Sequence, residues 1–169
     1  MRIDIIGQPA TGKSTLAKAI SQKLSIPHVH LDKFWFESGG KQGNRQTPNL
    51  EEVRKQVKAK VLEAIAQDSW VSDGLYSHIQ PAICERADVI VLIEMPLWRR
   101  LLNHAFRLTK PHERHKQVSR WMDITFFFEL IRRHFTTAPK LKKIIDAYPN
   151  KVVRLHTRKE IANYLNSLS

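Results

Sequence analysis

Gly7-Gln8-Pro9-Ala10-Thr11-Gly12-Lys13-Ser14-Thr15 is the stretch whose reading decides the fold. It fits the pattern G-x-x-x-x-G-K-[ST], a loop that wraps nucleotide phosphates. Gly7 and Gly12 let the backbone turn so that successive N–H groups face the phosphates. A helix then begins, and its N-terminal end is positive. Lys13 is placed to reach the β- and γ-phosphates, and the Ser14 hydroxyl to bind Mg2+. The expected ligands are ATP and Mg2+. Gly7, Pro9, Ala10, Thr11, Gly12, Lys13, Ser14 and Thr15 are expected to line the nucleotide.

Working outward, residues 2–6 (Arg-Ile-Asp-Ile-Ile) read as a short apolar strand and residues 14–24 as a helix with Leu16, Ala17, Ile20 and Leu24 on one face. Pro27 to Leu31 reads as a second strand, ending at Asp32, and Glu37 to Thr47 as a polar, Gly-rich mobile loop. Residues 49–67 form an amphipathic helix with Val53, Val57, Val61, Ala64 and Ile65 inward, and Asn49 with Glu52 resembles a capping pair. Trp70 to Ser72 is a third strand, ending at Asp73-Gly74, and a short helix follows. Asp88 to Glu94, with the run Val-Ile-Val-Leu-Ile, reads as a strand buried on both faces, as in a parallel sheet.

Beyond Pro96, residues 97–108 read as a helix with Trp98, Leu101, Leu102 and Ala105 on one face and Arg100, Asn103, His104 and Arg107 on the other. A Pro-broken basic loop, helices over 117–135 and 139–147, and a last strand over Val152 to His156 follow. Thr157-Arg-Lys-Glu160 is a capping box opening the final helix. Strands alternating with helices indicate an α/β fold, a parallel sheet with helices on both faces. Ligands of such sheets sit at the carboxyl ends of the strands. Gly7, Asp32, Asp73 and Glu94 are expected to converge there.

Phosphoryl transfer needs a metal, an oriented nucleophile and cations for the developing charge. Asp73 suits a carboxylate that holds Mg2+ through water, so Ser14 and Asp73 are the expected metal residues. Asp32 suits a carboxylate that accepts a proton from a substrate hydroxyl. Glu94 suits a site carboxylate and, equally, a cap or a partner for an arginine. Seven Lys/Arg and one acid lie between Arg99 and Arg120, in a segment expected to close as a lid over the nucleotide. Trp121, Phe126, Phe127 and Phe128 have the spacing of core residues. The eight histidines show no metal-ligand spacing, and no zinc site is expected.

The chain has 169 residues, which suits one domain over 1–169. It holds a single cysteine, Cys84, and no apolar run of membrane-spanning length, so a cytoplasmic location is expected. The net charge of +12 is uneven. Residues 1–95 carry 12 Lys/Arg against 11 Asp/Glu, and residues 96–169 carry 16 against 5. A basic half implies an anionic partner: nucleotide phosphates, a phosphorylated metabolite, nucleic acid or an acidic surface.

A wider set of residues adds to the loop: His30-Leu31-Asp32-Lys33-Phe34-Trp35, then Trp70-Val71-Ser72-Asp73-Gly74-Leu75-Tyr76-Ser77, then Ala87-Asp88 through Pro96 and Trp98, then Arg133 and Pro139-Lys140. In this ordered set, which covers nearly the whole chain, the sequence resembles the P-loop NTPases described as DNA topology modulation proteins, related to adenylate kinase and other small-molecule P-loop kinases. The resemblance implies a three-layer P-loop fold with a five-stranded parallel sheet of order 2-3-1-4-5 and a helical lid over about 97–135. It implies that Asp32 is a substrate-side acid and that Asp73-Gly74 is the Asp-Gly ending the third strand. It also implies that Arg107 is the second of two lid arginines. The chain departs from that pattern at Asn103, where the first lid arginine is expected, at Leu75 and at Ala138.

The catalytic set expected from both readings is Lys13, Asp32, Asp73, Arg107 and Arg133. The expected activity is transfer of the γ-phosphoryl of ATP to a small hydroxyl- or phosphate-bearing acceptor such as a nucleoside or nucleotide. The alternative is a nucleic-acid-associated ATPase or regulator of DNA topology, a polynucleotide kinase among the options. No helix-turn-helix, zinc-finger or RNA-binding signature supports it.

Overall fold

The computed structural model describes residues 1–41, 47–109 and 120–168, without the side chains of 107–109 and 120–129. Its centre is β1 (Arg2–Gly7), whose residues Ile3, Ile5 and Ile6 are fully buried. A strand pleats its side chains alternately. Ile3 and Ile5 therefore pack on one face of the sheet and Ile6 on the other. The strands are β2 (His28–His30), β3 (Trp70–Asp73), β4 (Val89–Ile93) and β5 (Val152–Leu155). All pairings are parallel and the order is β2-β3-β1-β4-β5, as expected. The alternation in β4 is equally clean: Ile90 and Leu92 face one layer, Val91 and Ile93 the other.

Among the described residues, helices α1 (Lys13–Leu24), α2 (Leu31–Glu37), α3 (Leu50–Ile65), α4 (Gln80–Arg86), α5 (Leu97–Thr109) and α6 (Arg120–Ala147) lie between the strands, and α7 (Arg158–Ser167) follows the last. One face packs on α1 through Leu16, Ala17 and Ile20, and on α7 through Ile161, Tyr164 and Leu165. The other packs on α3, α4 and the C-terminal part of α6. In α3 the buried Val53, Val57, Val61 and Ile65 recur every four residues, the stripe a helix needs to lie on a sheet. Each contributes roughly 1.5–3 kcal/mol of transfer free energy. No helix among the described residues is long and apolar enough to cross a membrane.

Four local expectations are corrected. First, β2 stops at His30, and Leu31–Glu37 is helix α2. Leu31 and Trp35, one turn apart, are both buried, and Asp32 sits in the first turn, where the helix dipole favours an acid. Of the expected loop, residues 42–46 lie outside the described residues. Its near end is held by Trp35 Nε1 donating to the Lys41 carbonyl at 3.1 Å. Second, Asn49 adopts φ 49° and makes no side-chain cap. Glu52 instead accepts from Gln56 along the helix. Third, α6 runs through Pro139 without a break. A mid-helix proline costs about 3 kcal/mol, but Leu130 and Leu141 on either side of it are buried, and docking both segments outweighs the loss. Fourth, the apolar and basic faces read for α5 do not sort into buried and exposed. Arg100 and His104 are buried, whereas Trp98 and Leu102 are exposed. The capping box at Thr157 is present, its hydroxyl accepting from the Glu160 N–H at 3.1 Å.

Candidate active site around the phosphate loop

The loop between β1 and α1 is shaped by three residues with positive φ: Gly7 (149°), Ala10 (63°) and Gly12 (94°). Gly7 is required twice over, because a Cβ there would also stand 2.5 Å from the Ile93 carbonyl oxygen on β4. Gly12 caps α1 with no side-chain hydrogen bond, and a Cβ there would meet nothing within 4 Å. The first-turn amides of α1 thus lack a side-chain cap, the arrangement that suits an anion. Thr11 is buried and its Oγ1 donates to the Gln8 carbonyl at 2.9 Å. Lys13 Nζ donates to the same carbonyl at 2.9 Å. Pro9 is partly buried and Thr15 exposed.

Ala10 in a left-handed conformation is disfavoured by roughly 1–2 kcal/mol. Its carbonyl accepts from Asn103 Nδ2 at 3.0 Å, and the Asn103 Oδ1 accepts from Arg158 at 2.9 Å. The residue that departs from the lid-arginine pattern therefore ties the loop to α5 and α7. A second tie runs to α6. Gln8 Nε2 donates to the His134 carbonyl at 3.2 Å, and Gln8 Oε1 lies 3.1 Å from His134 Nδ1. Arg100 lies 3.4 Å from the same ring nitrogen and donates to the Leu130 carbonyl at 3.3 Å. Arg100 is fully buried, and burial lowers its pKa. It joins α5 to α6 and is not available to a lid closing over the nucleotide, the role expected of that helix face.

Asp73 closes β3 next to β1 and is 2% exposed. Its Oδ2 accepts a hydrogen bond from Ser14 Oγ. Its Oδ1 lies 2.7 Å from both His28 Nε2 and His30 Nδ1. Burial alone would raise the Asp73 pKa, but the bonds from His28, His30 and Ser14 outweigh it and hold the carboxyl well below the usual range. His30 is raised in turn, chiefly by its bond to Asp73. A hydroxyl touching a carboxylate that stays anionic is the pair of oxygen donors Mg2+ prefers, so Ser14 and Asp73 fit the ion expected of them.

Asp32 is exposed in the first turn of α2, and its Oδ1 accepts from the Tyr76 hydroxyl at 2.8 Å. Burial, with Asp32 behind it, pushes the Tyr76 phenol far above its usual pKa, so it remains a donor. The charge of exposed Arg133 on α6 acts on the same phenol in the opposite sense. Asp32 and Tyr76 therefore meet on the β2–β3 side of the loop. Arg107 belongs to α5, but its side chain lies outside the described residues, as do those of Trp121, Phe126, Phe127 and Phe128. Glu94 does not join the other acids. It stands 3.8 Å from Arg154 and 3.6 Å from His156, at the β4–β5 end of the sheet. There it lines a cavity of about 650 Å3 together with Gln8, Met95, His134 and Lys142.

Sequence reading missed His28, His30 and Tyr76. The signal for the histidines is the H-x-H spacing in a strand, where period 2 puts both rings on one face. It becomes informative only with the register that sets His30 opposite Asp73.

No family model matches this chain. It is similar to a protein of Pyrococcus abyssi described as "Putative adenylate kinase", with 33% identity over 94 residues, which cover 55% of this chain and 48% of that protein. The chain thus spans about half the length of the curated relative it matches.

Proposed function

We propose that this chain is an ATP- and Mg2+-dependent P-loop kinase that phosphorylates a small acceptor, a nucleoside or nucleotide being the class that fits best. The observation that carries the reading is the contact between Ser14, the last polar residue of the lysine-serine pair, and Asp73 at the end of the neighbouring strand. It joins the phosphate loop to a fixed anion at the carboxyl edge of a sheet of order 2-3-1-4-5. The similarity to a protein described as an adenylate kinase supports the same reading.

In this reading Lys13 leaves the Gln8 carbonyl for the β- and γ-phosphates, and the loop amides with the α1 terminus bind the remaining oxygens. Ser14 and Asp73 hold Mg2+, which neutralises charge on the phosphates when bound. The acceptor lies on the β2–β3 side. Its hydroxyl oxygen attacks the γ-phosphorus, the bond to the β–γ bridging oxygen breaks, and ADP departs. Asp32, oriented by Tyr76, takes the hydroxyl proton. Arg133 faces the charge that develops on the transferred group, and Arg107 on α5 completes the clamp.

The basic half serves phosphates in the cleft more than a nucleic-acid backbone. Several of its cations are already engaged: Lys151 donates to the carbonyls of Cys84 and Glu85, Arg158 to Asn103, and Arg100 to Leu130. Lys140, Lys142 and Lys143 are exposed on α6, as are Arg132 and Arg133.

The test is calorimetry and turnover with ATP and Mg2+ across a panel of phosphate acceptors, on wild type and Lys13→Ala. The variant is expected to lose ATP affinity and all turnover; unchanged ATP binding would overturn the reading. Duplex DNA binding that is tight at physiological salt, falls steeply as salt rises, and disappears on neutralising Lys140, Lys142 and Lys143 would favour the nucleic-acid alternative.

A further inference from the structure

His28 and His30 leave β2 on the same face and direct different ring nitrogens, Nε2 and Nδ1, at one oxygen of Asp73. The three donor atoms lie within 4.8 Å of one another. Two rigid backbones fix them: β2 and β3 are paired with His30 opposite Asp73 and His28 opposite Val71. The other oxygen of Asp73 is pinned by Ser14, which sets the orientation of the carboxylate as an outer-shell partner does in metal centres. The Asp73 side chain is 2% exposed, whereas those of His28 and His30 are 23% and 33% exposed. The cluster is thus anchored on the protein side and open to water on the other.

We propose that His28, His30 and Asp73 form a binding site for a divalent transition metal of the zinc class, separate from the Mg2+ that accompanies nucleotide. Two imidazoles with one carboxylate are a borderline donor set. It suits Zn2+, Co2+ or Ni2+ and is poor for Mg2+, which favours oxygen donors. Three protein ligands with an open side leave at least one position for water. Metal–ligand bonds of about 2.0–2.1 Å in a tetrahedron hold neighbouring ligand atoms about 3.3 Å apart. Both nitrogens are now 2.7 Å from Oδ1, so each ring must withdraw by about half an ångström, a small side-chain adjustment for rings that face solvent. The ion would occupy Oδ1 and leave Oδ2 with Ser14, placing a second cation beside the phosphate loop without taking over its hydroxyl ligand.

The proposal does not depend on the nucleotide reading, and its test uses no nucleotide. The full-length chain is stripped with a chelator and titrated with Co2+, following the visible d–d absorption, and then with Zn2+ in competition. One equivalent is expected to bind, with tenfold excess Mg2+ failing to displace it. His28→Gln and His30→Gln should each weaken binding at least about tenfold, Ser14→Ala should weaken it by no more than the loss of an outer-shell partner does, and His156→Gln should retain it. Ring 15N shifts on the wild-type protein give a second readout that does not require the variants to fold. Zn2+ should move Nε2 of His28 and Nδ1 of His30 and leave the other ring nitrogens protonated. Absence of one-equivalent binding overturns the proposal. So does binding that survives both histidine substitutions in folded protein, or a shift pattern confined to other histidines. Loss of ATP binding in Lys13→Ala is a separate result, so failure of one reading leaves the other standing.

Discussion

Replacing Asp4 by Asn should change how the stability of this protein depends on pH. Asp4 belongs to the central strand β1 and is fully buried, accepting from Ser72 Oγ at 2.7 Å and from Gln80 Nε2 at 2.6 Å. Burial raises its pKa from 3.8 to about 7, against the opposing pull of its bonds to Ser72, Cys84 and Gln80. A carboxyl whose folded pKa is raised contributes stability that is fully present below the unfolded value, near 3.8, and lost as pH climbs through about 7. A gap of about three units corresponds to roughly 4 kcal/mol in total, of which about 2.5 kcal/mol falls between pH 5 and pH 8. Asparagine has the same shape, can turn its oxygen to Gln80 and its amide to Ser72, and does not titrate. The assay is urea unfolding of both proteins at intervals from pH 5 to pH 8. Contributions from His30 and Asp73 occur in both and cancel in the difference. The wild type should lose about 2.5 kcal/mol relative to Asp4→Asn over that range. A difference that stays flat within about 0.5 kcal/mol would refute the claim that this carboxyl is protonated in the fold near neutrality.

Two further substitutions probe the site. Asp32→Asn keeps an oxygen for the Tyr76 hydroxyl, so ATP affinity should hold while phosphoryl transfer falls at least about 100-fold; normal turnover would move the proton acceptor elsewhere. Gly7→Ala drives a Cβ to 2.5 Å from the Ile93 carbonyl at φ 149°, and thermal or urea unfolding should report a loss of at least about 2 kcal/mol. An unchanged transition would mean that the β1–β4 approach at this point is looser than described.

Much of this architecture can be read along the chain because its signals are local. The strand–loop–helix at 2–24 is written in glycine spacing, and α3 in a stripe of valines one turn apart. The features that escaped such reading are settled by packing between distant segments. Helix α2 is seven residues long, too short for a period to declare itself, and only the burial of Leu31 and Trp35 selects it over an extended strand. Pro139 is a sound local reason to break α6, and contacts at Leu130 and Leu141 override it. Arg100 and His104 read as one polar helix face, and nothing local marks them for burial; the backbone and ring acceptors that receive Arg100 come from α6, some 30 residues later. Within the candidate site, the motif and the strand ends single out Lys13, Ser14 and Asp73, and the structure brings Ser14 to Asp73. His28, His30 and Tyr76 became visible only once parallel register and helix placement brought them to Asp73 and Asp32.

The bond from Lys13 to the Gln8 carbonyl bears on how any phosphate would arrive. The ammonium is held inside the loop by a carbonyl that also receives Thr11. An incoming anion would therefore trade places with a resident acceptor. The gain from that contact is reduced by the loss of the resident bond. Such exchange favours groups able to outcompete an amide oxygen, namely those carrying full negative charge, and gives little advantage to neutral ligands of similar shape. Discrimination between charged and uncharged ligands would thus begin in the resting loop.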